Sequence, residues 1–152
     1  KKLKQCQEDI LKYKPDVIIL IDYAGFNMRI AKFAKQHGIK IFWYISPKVW
    51  AWNQNRALKL KANVDRMFVI LPFEKAFFKK YDWNVDYVGN PVLDAVKAHQ
   101  PDKSFLSKNN FKNDASLVAL LPGSRKQELQ RMIPLMTGVA SKLPHIQFGL
   151  AR

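Results

Sequence analysis

The sequence has a single cysteine, Cys6, so no internal disulfide can form, which fits a reducing compartment. Its longest apolar stretches, such as Val17–Ile21 and Met67–Pro72, are far short of the about 20 residues a membrane-spanning helix needs. No signal-peptide pattern is visible. His37, His99 and His145 are scattered, and no Cys/His cluster has metal-ligand spacing. There is no Gly-x-Ser-x-Gly elbow, no Gly-x-Gly-x-x-Gly fingerprint and no Gly-Lys-Ser/Thr phosphate loop. No Asp-x-Asp pair exists to hold a divalent metal against a diphosphate. These absences exclude the common serine-hydrolase, dinucleotide and Walker-type readings, and they predict no cofactor.

Acidic residues are also scarce. The 152 residues include 26 Lys+Arg against 12 Asp+Glu, a net charge of +14. The excess is lopsided: residues 1–80 hold 17 basic and 6 acidic side chains, residues 81–152 hold 9 and 6. Such a basic half suggests an anionic partner, whether nucleic acid, acidic lipid or a phosphorylated substrate. A lysine-rich surface that serves only solubility is the alternative. At 48% hydrophobic the composition is globular, and the length suits one domain or pieces of two. The chain starts at Lys1-Lys2 without Met and stops at Ala151-Arg152 just after an apolar run. Both ends read as cuts through a longer protein.

Short β-branched runs alternate with helical patterns. Asp16–Ile21 is a continuous apolar run behind one acid, as expected for a strand covered on both faces. Phe26–Gln36 has apolar residues at helical spacing and ends at His37-Gly38. Ile39–Ile45 is a strand, Arg56–Ala62 a short basic helix, Arg66–Ile70 a strand, Pro72–Tyr81 a helix and Val85–Val88 a fourth strand. Residues 99–114 carry Pro, Lys, Ser and Asn and read as a linker. Strand Leu117–Leu121, helix Lys126–Lys142, bent or restarted near Pro134, and strand His145–Leu150 follow. This rhythm predicts βαβ units, an α/β fold with parallel sheets, and two domain pieces, 1–98 and 115–152.

In open parallel sheets a ligand lies beyond the carboxyl ends of the strands, so those ends are the places to inspect. Asp22 follows the first strand. A carboxylate buried there is tuned toward a general base if it reaches a substrate hydroxyl. Alternatively Asp22 or Asn27 caps the next helix. The second strand runs into Ser46-Pro47-Lys48-Val49-Trp50-Ala51-Trp52. Two tryptophans in a loop need something to pack on, either a ligand or acyl chain, or the core itself. After the third strand, Pro72 and Glu74 look structural, at the start of a helix. Gly89 and Asn90 follow the fourth. The fifth ends Pro122-Gly123-Ser124-Arg125, a tight turn opening a helix. Free backbone N–H groups and the Arg125 guanidinium make it an anion site suited to diphosphate, unless Ser124 merely caps the helix.

Five segments together resemble lipid A disaccharide synthases, bacterial glycosyltransferases built of two Rossmann-like domains (the GT-B type). They are Pro15–Asn27, Tyr44–Trp52, Leu71–Phe77, Val88–Pro91 and Leu120–Arg125. Their order and spacing match the family, and Ser-Pro-x-Val-Trp-Ala-Trp is the most specific of them. The resemblance implies transfer of 2,3-diacylglucosamine from UDP to the 6-hydroxyl of 2,3-diacylglucosamine 1-phosphate, with inversion. It implies Asp22 as the catalytic base and Arg125, with Gly123 and Ser124, on the UDP phosphates. Asn27, Ser46, Trp50, Trp52 and Asn90 match family positions on the substrate side. Many relatives have His at Asn90 and some have Asp at Gly25. The family's Gly-Glu-x-Ser-Gly-Asp loop, apolar docking patch and Ser-Gly-Thr…Glu segment have no counterpart here. An incomplete piece is therefore expected: the back half of the acceptor-side domain and the first βαβ of the nucleotide-side domain. The resemblance also implies a cytoplasmic protein peripheral to the anionic inner membrane of a Gram-negative bacterium.

Two other readings stand beside this one. The basic half with Trp50, Trp52 and Arg56 fits a nucleic-acid-binding module, although its aromatics sit at a strand–helix loop rather than on an open sheet face. A UDP-sugar epimerase of the same architecture is the other. The family reading expects no nucleic acid.

Overall fold

The computed structural model describes residues 2–151; the side chain of Trp52 lies outside the described residues. The chain divides into two compact units, Lys1–Ala98 and His99–Arg152.

In the first unit the order is α1 (Lys2–Tyr13), β1 (Val17–Ile21), α2 (Ala24–Gln36), β2 (Lys40–Tyr44), α3 (Val49–Trp52), α4 (Arg56–Asn63), β3 (Arg66–Val69), α5 (Pro72–Lys79), β4 (Asp86–Tyr87) and α6 (Pro91–Ala98). All four strands are parallel, in the order β1-β2-β3-β4, so each crossover is a helix. The register pairs Leu20 with Trp43 and Trp43 with Met67. These three, with Ile41 and Val69, form the buried face and pack with Ile30, Ala34, Leu60 and Phe78 from the helices. Removing that much apolar surface from water is the main stabilising term of this unit.

Four helical features escape the sequence reading. Helix α1 packs Leu3, Cys6 and Ile10, at positions i, i+3 and i+7, against this core. Helix α6 starts at Pro91, the position where a missing N–H costs nothing. The loop of Trp50 contains the single turn α3. The fourth, α7, belongs to the second unit.

The opposite face of the sheet is not covered as the sequence suggests. Val17, Ile19 and Ile21 of β1 are exposed, and Phe42, Tyr44 and Phe68 beside them are only half-buried. Arg66 partly screens this face. Its guanidinium lies 5.1 Å from the Phe68 ring centre and 2.9 Å from Asp86.

The second unit contains α7 (Phe105–Lys108), β5 (Leu117–Leu120), α8 (Lys126–Ala140) and β6 (Gln147–Leu150), with β5 and β6 parallel. Helix α8 runs through Pro134 as one helix. Residues 99–114 are not a free linker. Lys112 N–H donates to Gln147 Oε1 at 2.6 Å, Gln147 Nε2 donates back to Lys112 O at 3.0 Å, and the Phe111 ring lies against Gly149. A Cβ at Gly149 would sit 3.1 Å from that ring, so glycine is what lets the segment close on β6.

Candidate functional site

The end of β1 turns sharply. Asp22 and Tyr23 both adopt left-handed backbone angles, with φ of 46° and 38°. Two consecutive non-glycine residues there are costly, at about 1–2 kcal/mol each. Asn27, in the first turn of α2, holds the bend: its Nδ2 donates to Ile21 O at 3.1 Å and to Asp22 O at 2.9 Å. Asp22 N–H still donates to Tyr44 O at 3.1 Å, so the residue stays registered to β2 while its side chain leaves the strand. Neither residue caps α2; its N-cap is Tyr23, without a side-chain bond. The expected burial of Asp22 is absent. Its carboxylate is exposed and has no hydrogen-bond partner among the described residues.

The end of β2 repeats the pattern. Ile45, a β-branched residue, has φ of 64°. Its N–H donates to Phe68 O at 3.1 Å, and its carbonyl accepts from Trp43 Nε1 at 3.2 Å. The turn aims Ser46 inward. Ser46 is 5% exposed, and its hydroxyl donates to Glu74. A substrate therefore does not meet Ser46 directly in this conformation. Trp50 is half-buried, edge-on to Phe73 with ring centres 4.9 Å apart, and its indole N–H is buried without a hydrogen-bond partner among the described residues. It roofs the core at this edge. The role expected for Trp52 concerns a side chain outside the described residues.

Asn90 acts as a cap. Its Oδ1 accepts from Val92 N–H at 3.0 Å at the start of α6. Gly89, with φ of 85°, makes the preceding bend.

In the second unit the turn after β5 is already occupied by an anion from within the chain. Glu128 Oε2 accepts from Ser124 N–H and Arg125 N–H, both at 3.1 Å, and Arg125 Nη1 donates to Glu128 Oε1 at 2.8 Å. Hydrogen bonds from the Arg125 guanidinium, then from the backbone, hold the Glu128 carboxyl below its ordinary range. Gly123 has φ of 99°, and a Cβ on it would lie 2.5 Å from Glu128 Oε2. Ser124 is not a cap; the N-cap of α8 is Arg125.

Sequence reasoning placed Glu74 as a structural residue in a helix's first turn, as found, but missed its tie to Ser46 and missed Glu128 altogether. Each stands three residues after a helix N-cap, the recognisable position of a capping acid, and that position was the available signal. No group of His, Cys, Asp and Glu among the described residues could hold a metal ion.

Parallel strands joined by helices, with polar side chains gathered at the carboxyl ends, define a Rossmann-like α/β protein. The solved structures agree on the fold. A candidate UDP-N-acetylglucosamine 2-epimerase from Listeria monocytogenes superposes with a TM-score of 0.67 at 14% identity, covering 99% of this chain and 43% of that one. The UDP-GlcNAc 2-epimerase of Neisseria meningitidis, solved with UDP-GlcNAc, gives 0.64 at 14%, covering 97% and 45%.

The family follows from sequence. Residues 1–148 match the lipid-A-disaccharide synthetase family model, and the chain belongs to that family. Similar relatives, each named lipid-A-disaccharide synthase, come from Syntrophus aciditrophicus, Trichlorobacter lovleyi and Myxococcus xanthus. The first is 46% identical over 84% of this chain and 33% of the relative. The second is 41% identical over 93% and 38%, and the third 40% over 97% and 39%. The chain thus spans a third to two fifths of the length of these relatives.

Proposed function

We propose that this chain supplies a section of a lipid A disaccharide synthase. The reaction moves 2,3-diacylglucosamine from UDP to the 6-hydroxyl of 2,3-diacylglucosamine 1-phosphate. Asp22 takes the hydroxyl proton as that oxygen attacks the anomeric carbon from the face opposite the diphosphate. The bond from the anomeric carbon to the diphosphate oxygen breaks, and UDP departs with the electron pair. Inversion follows from the single displacement. The observation that carries this reading is the Asp22 carboxylate: exposed, free of hydrogen-bond partners among the described residues, and fixed by Asn27 at the carboxyl end of a parallel sheet.

The first unit serves the acceptor side and the second the nucleotide side. Arg125 and the amides of the Gly123–Arg125 turn receive the departing diphosphate, which displaces the Glu128 carboxylate from Ser124 N–H and Arg125 N–H. Trp50, with its apolar neighbour Phe73, suits an acyl chain. The excess of Lys and Arg in residues 1–80 suits the anionic cytoplasmic face of a Gram-negative inner membrane and the acceptor phosphate. Nucleic acid is the weaker reading, because the Trp50 ring is packed on Phe73 instead of standing on an open face for bases.

The decisive variants belong in the full-length protein that carries this chain. Asp22→Asn should abolish disaccharide formation while leaving UDP affinity, measured by calorimetry, unchanged. Retained turnover removes Asp22 as the base. Arg125→Ala should weaken UDP binding by about 1.5–3 kcal/mol, the range for a lost charged hydrogen bond.

A further inference from the structure

Glu74 and Ser46 are the buried polar side chains of the described core, and the mechanism above uses neither. Glu74 is 2% exposed and shares the buried side of α5 with Phe77 and Phe78. A carboxylate in such surroundings is costly to desolvate, so its bonds need an explanation. One oxygen is explained by capping. Glu74 Oε2 accepts from the N–H of Leu71, the N-cap of α5, at 2.8 Å and from Ile70 N–H just before it at 3.2 Å. Glu128 shows that this capping does not require full burial: it makes the same pair of bonds, to the residues three and four before it, with its side chain 40% exposed.

The second oxygen of Glu74 is different. It leaves its own turn and takes the hydroxyl of Ser46, 28 residues earlier, at the end of the neighbouring strand. Phe73, the residue beside Glu74, meets the Trp50 ring of the same loop. The first turn of α5 therefore grips residues 46–50 at two points, one polar and one aromatic. Just before the first point stands the left-handed Ile45, and the Ser46-Pro47 step leads from it into the loop. The register puts Ile45 level with Asp22, since Ile21 pairs with Tyr44 and Asp22 N–H bonds Tyr44 O.

We propose that Glu74 is a positioning residue: through Ser46 it fixes the loop of Trp50 beside Asp22 and so sets how the acceptor is held. The inference rests on the acceptor-side reading given above. Asn27 does the corresponding job on the adjacent strand, a side chain from a helix's first turn pinning a left-handed strand end.

The test is Ser46→Ala in the full-length protein, because it cuts the cross-link and leaves the cap of α5 intact. We expect kcat/KM for 2,3-diacylglucosamine 1-phosphate to fall about tenfold with KM for the UDP donor unchanged, and amide exchange of residues 48–53 to quicken about tenfold (a loosening of about 1.4 kcal/mol). Glu74→Gln keeps an oxygen for the amides and an NH2 that can donate to Ser46 Oγ, so it should restore acceptor kinetics to within about threefold; Glu74→Ala should not. Unchanged acceptor kinetics in a folded Ser46→Ala protein would overturn the proposal, as would equal losses for donor and acceptor. If the wild-type protein makes no disaccharide, the functional reading fails. Faster exchange confined to residues 48–53 then upholds the clamp alone, and unchanged exchange removes it.

Discussion

Two strand-to-helix turns in this chain use one device in opposite surroundings. After β3, Glu74 accepts from the backbone N–H groups three and four residues before it; after β5, Glu128 does the same. The remaining oxygen of Glu74 goes to a buried hydroxyl from another strand, whereas that of Glu128 goes to the adjacent, exposed Arg125. The first arrangement resists displacement, since removing it strands a buried hydroxyl and two half-buried amides. The second yields easily, since water can replace every bond. A loop that stays formed suits the first, and the second suits the diphosphate proposed to enter its turn.

The units around these turns differ in the same sense. All the buried hydrophobic side chains among the described residues belong to the first unit, between Leu20 and Val85. In the second, Leu121, Leu135 and Val139 stay exposed, as two strands and one long helix can cover little apolar surface. The largest predicted difference follows. Trp43→Ala should cost about 3–5 kcal/mol in urea unfolding of the first unit, whereas Leu135→Ala should stay within about 0.5 kcal/mol. Every Trp and Tyr lies before residue 99, so intrinsic fluorescence reports the first unit by itself. A mild Trp43→Ala effect would remove the contrast.

The two acids sharpen it next. Glu74→Ala leaves the half-buried Ile70 and Leu71 amides and the buried Ser46 hydroxyl without their acceptor, an expected loss of about 1–3 kcal/mol. Glu128→Ala should move the melting curve far less. Equal losses would mean that capping, not burial, dominates both turns. Gly123→Ala should then act locally: with φ at 99° and a Cβ 2.5 Å from Glu128 Oε2, the turn must distort, at about 1–3 kcal/mol. Its clearest readout is weaker UDP binding by calorimetry.

Periodicity made the parallel α/β order legible, because buried strands and amphipathic helices leave different spacings. Capping geometry was harder to read. Asn27 looked like a substrate ligand or cap, yet it ties down the bend before Asp22, which no spacing rule encodes. Ser46 looked available, and only the left-handed Ile45 turns it inward. Helix α1 was hidden because its apolar stripe, Leu3, Cys6 and Ile10, is narrow among lysines. The segment 99–114 read as a linker from its polar composition, but Phe111 and the Gln147 amide fold it onto β6. The exposed face of β1 is the reverse case: its sequence asks for cover that the described residues do not supply.

The smallest expected effect is the pH response, and it reaches both units. Burial pushes the Asp65 carboxyl up, but hydrogen bonds from Lys35 and Ile41 N–H outweigh it and leave the group below its ordinary 3.8. Glu128 is held below its ordinary 4.5, chiefly by Arg125. A carboxyl depressed by folding adds stability above its unfolded value, and that stability is lost as pH falls through the folded one. Acidification through the carboxylate range should therefore loosen the Glu128 turn in the second unit and, in the first, the bonds of Asp65 to Lys35 at 2.5 Å and to Ile41 N–H at 2.8 Å. Carboxyl-carbon NMR titration should show Glu128 titrating below 4.5, and Arg125→Ala should move it back up. If Arg125→Ala leaves that titration where it was, Arg125 does not hold Glu128 in solution. The guanidinium is then free for a diphosphate from the outset, and the contrast between a fixed turn and a displaceable one loses its second half.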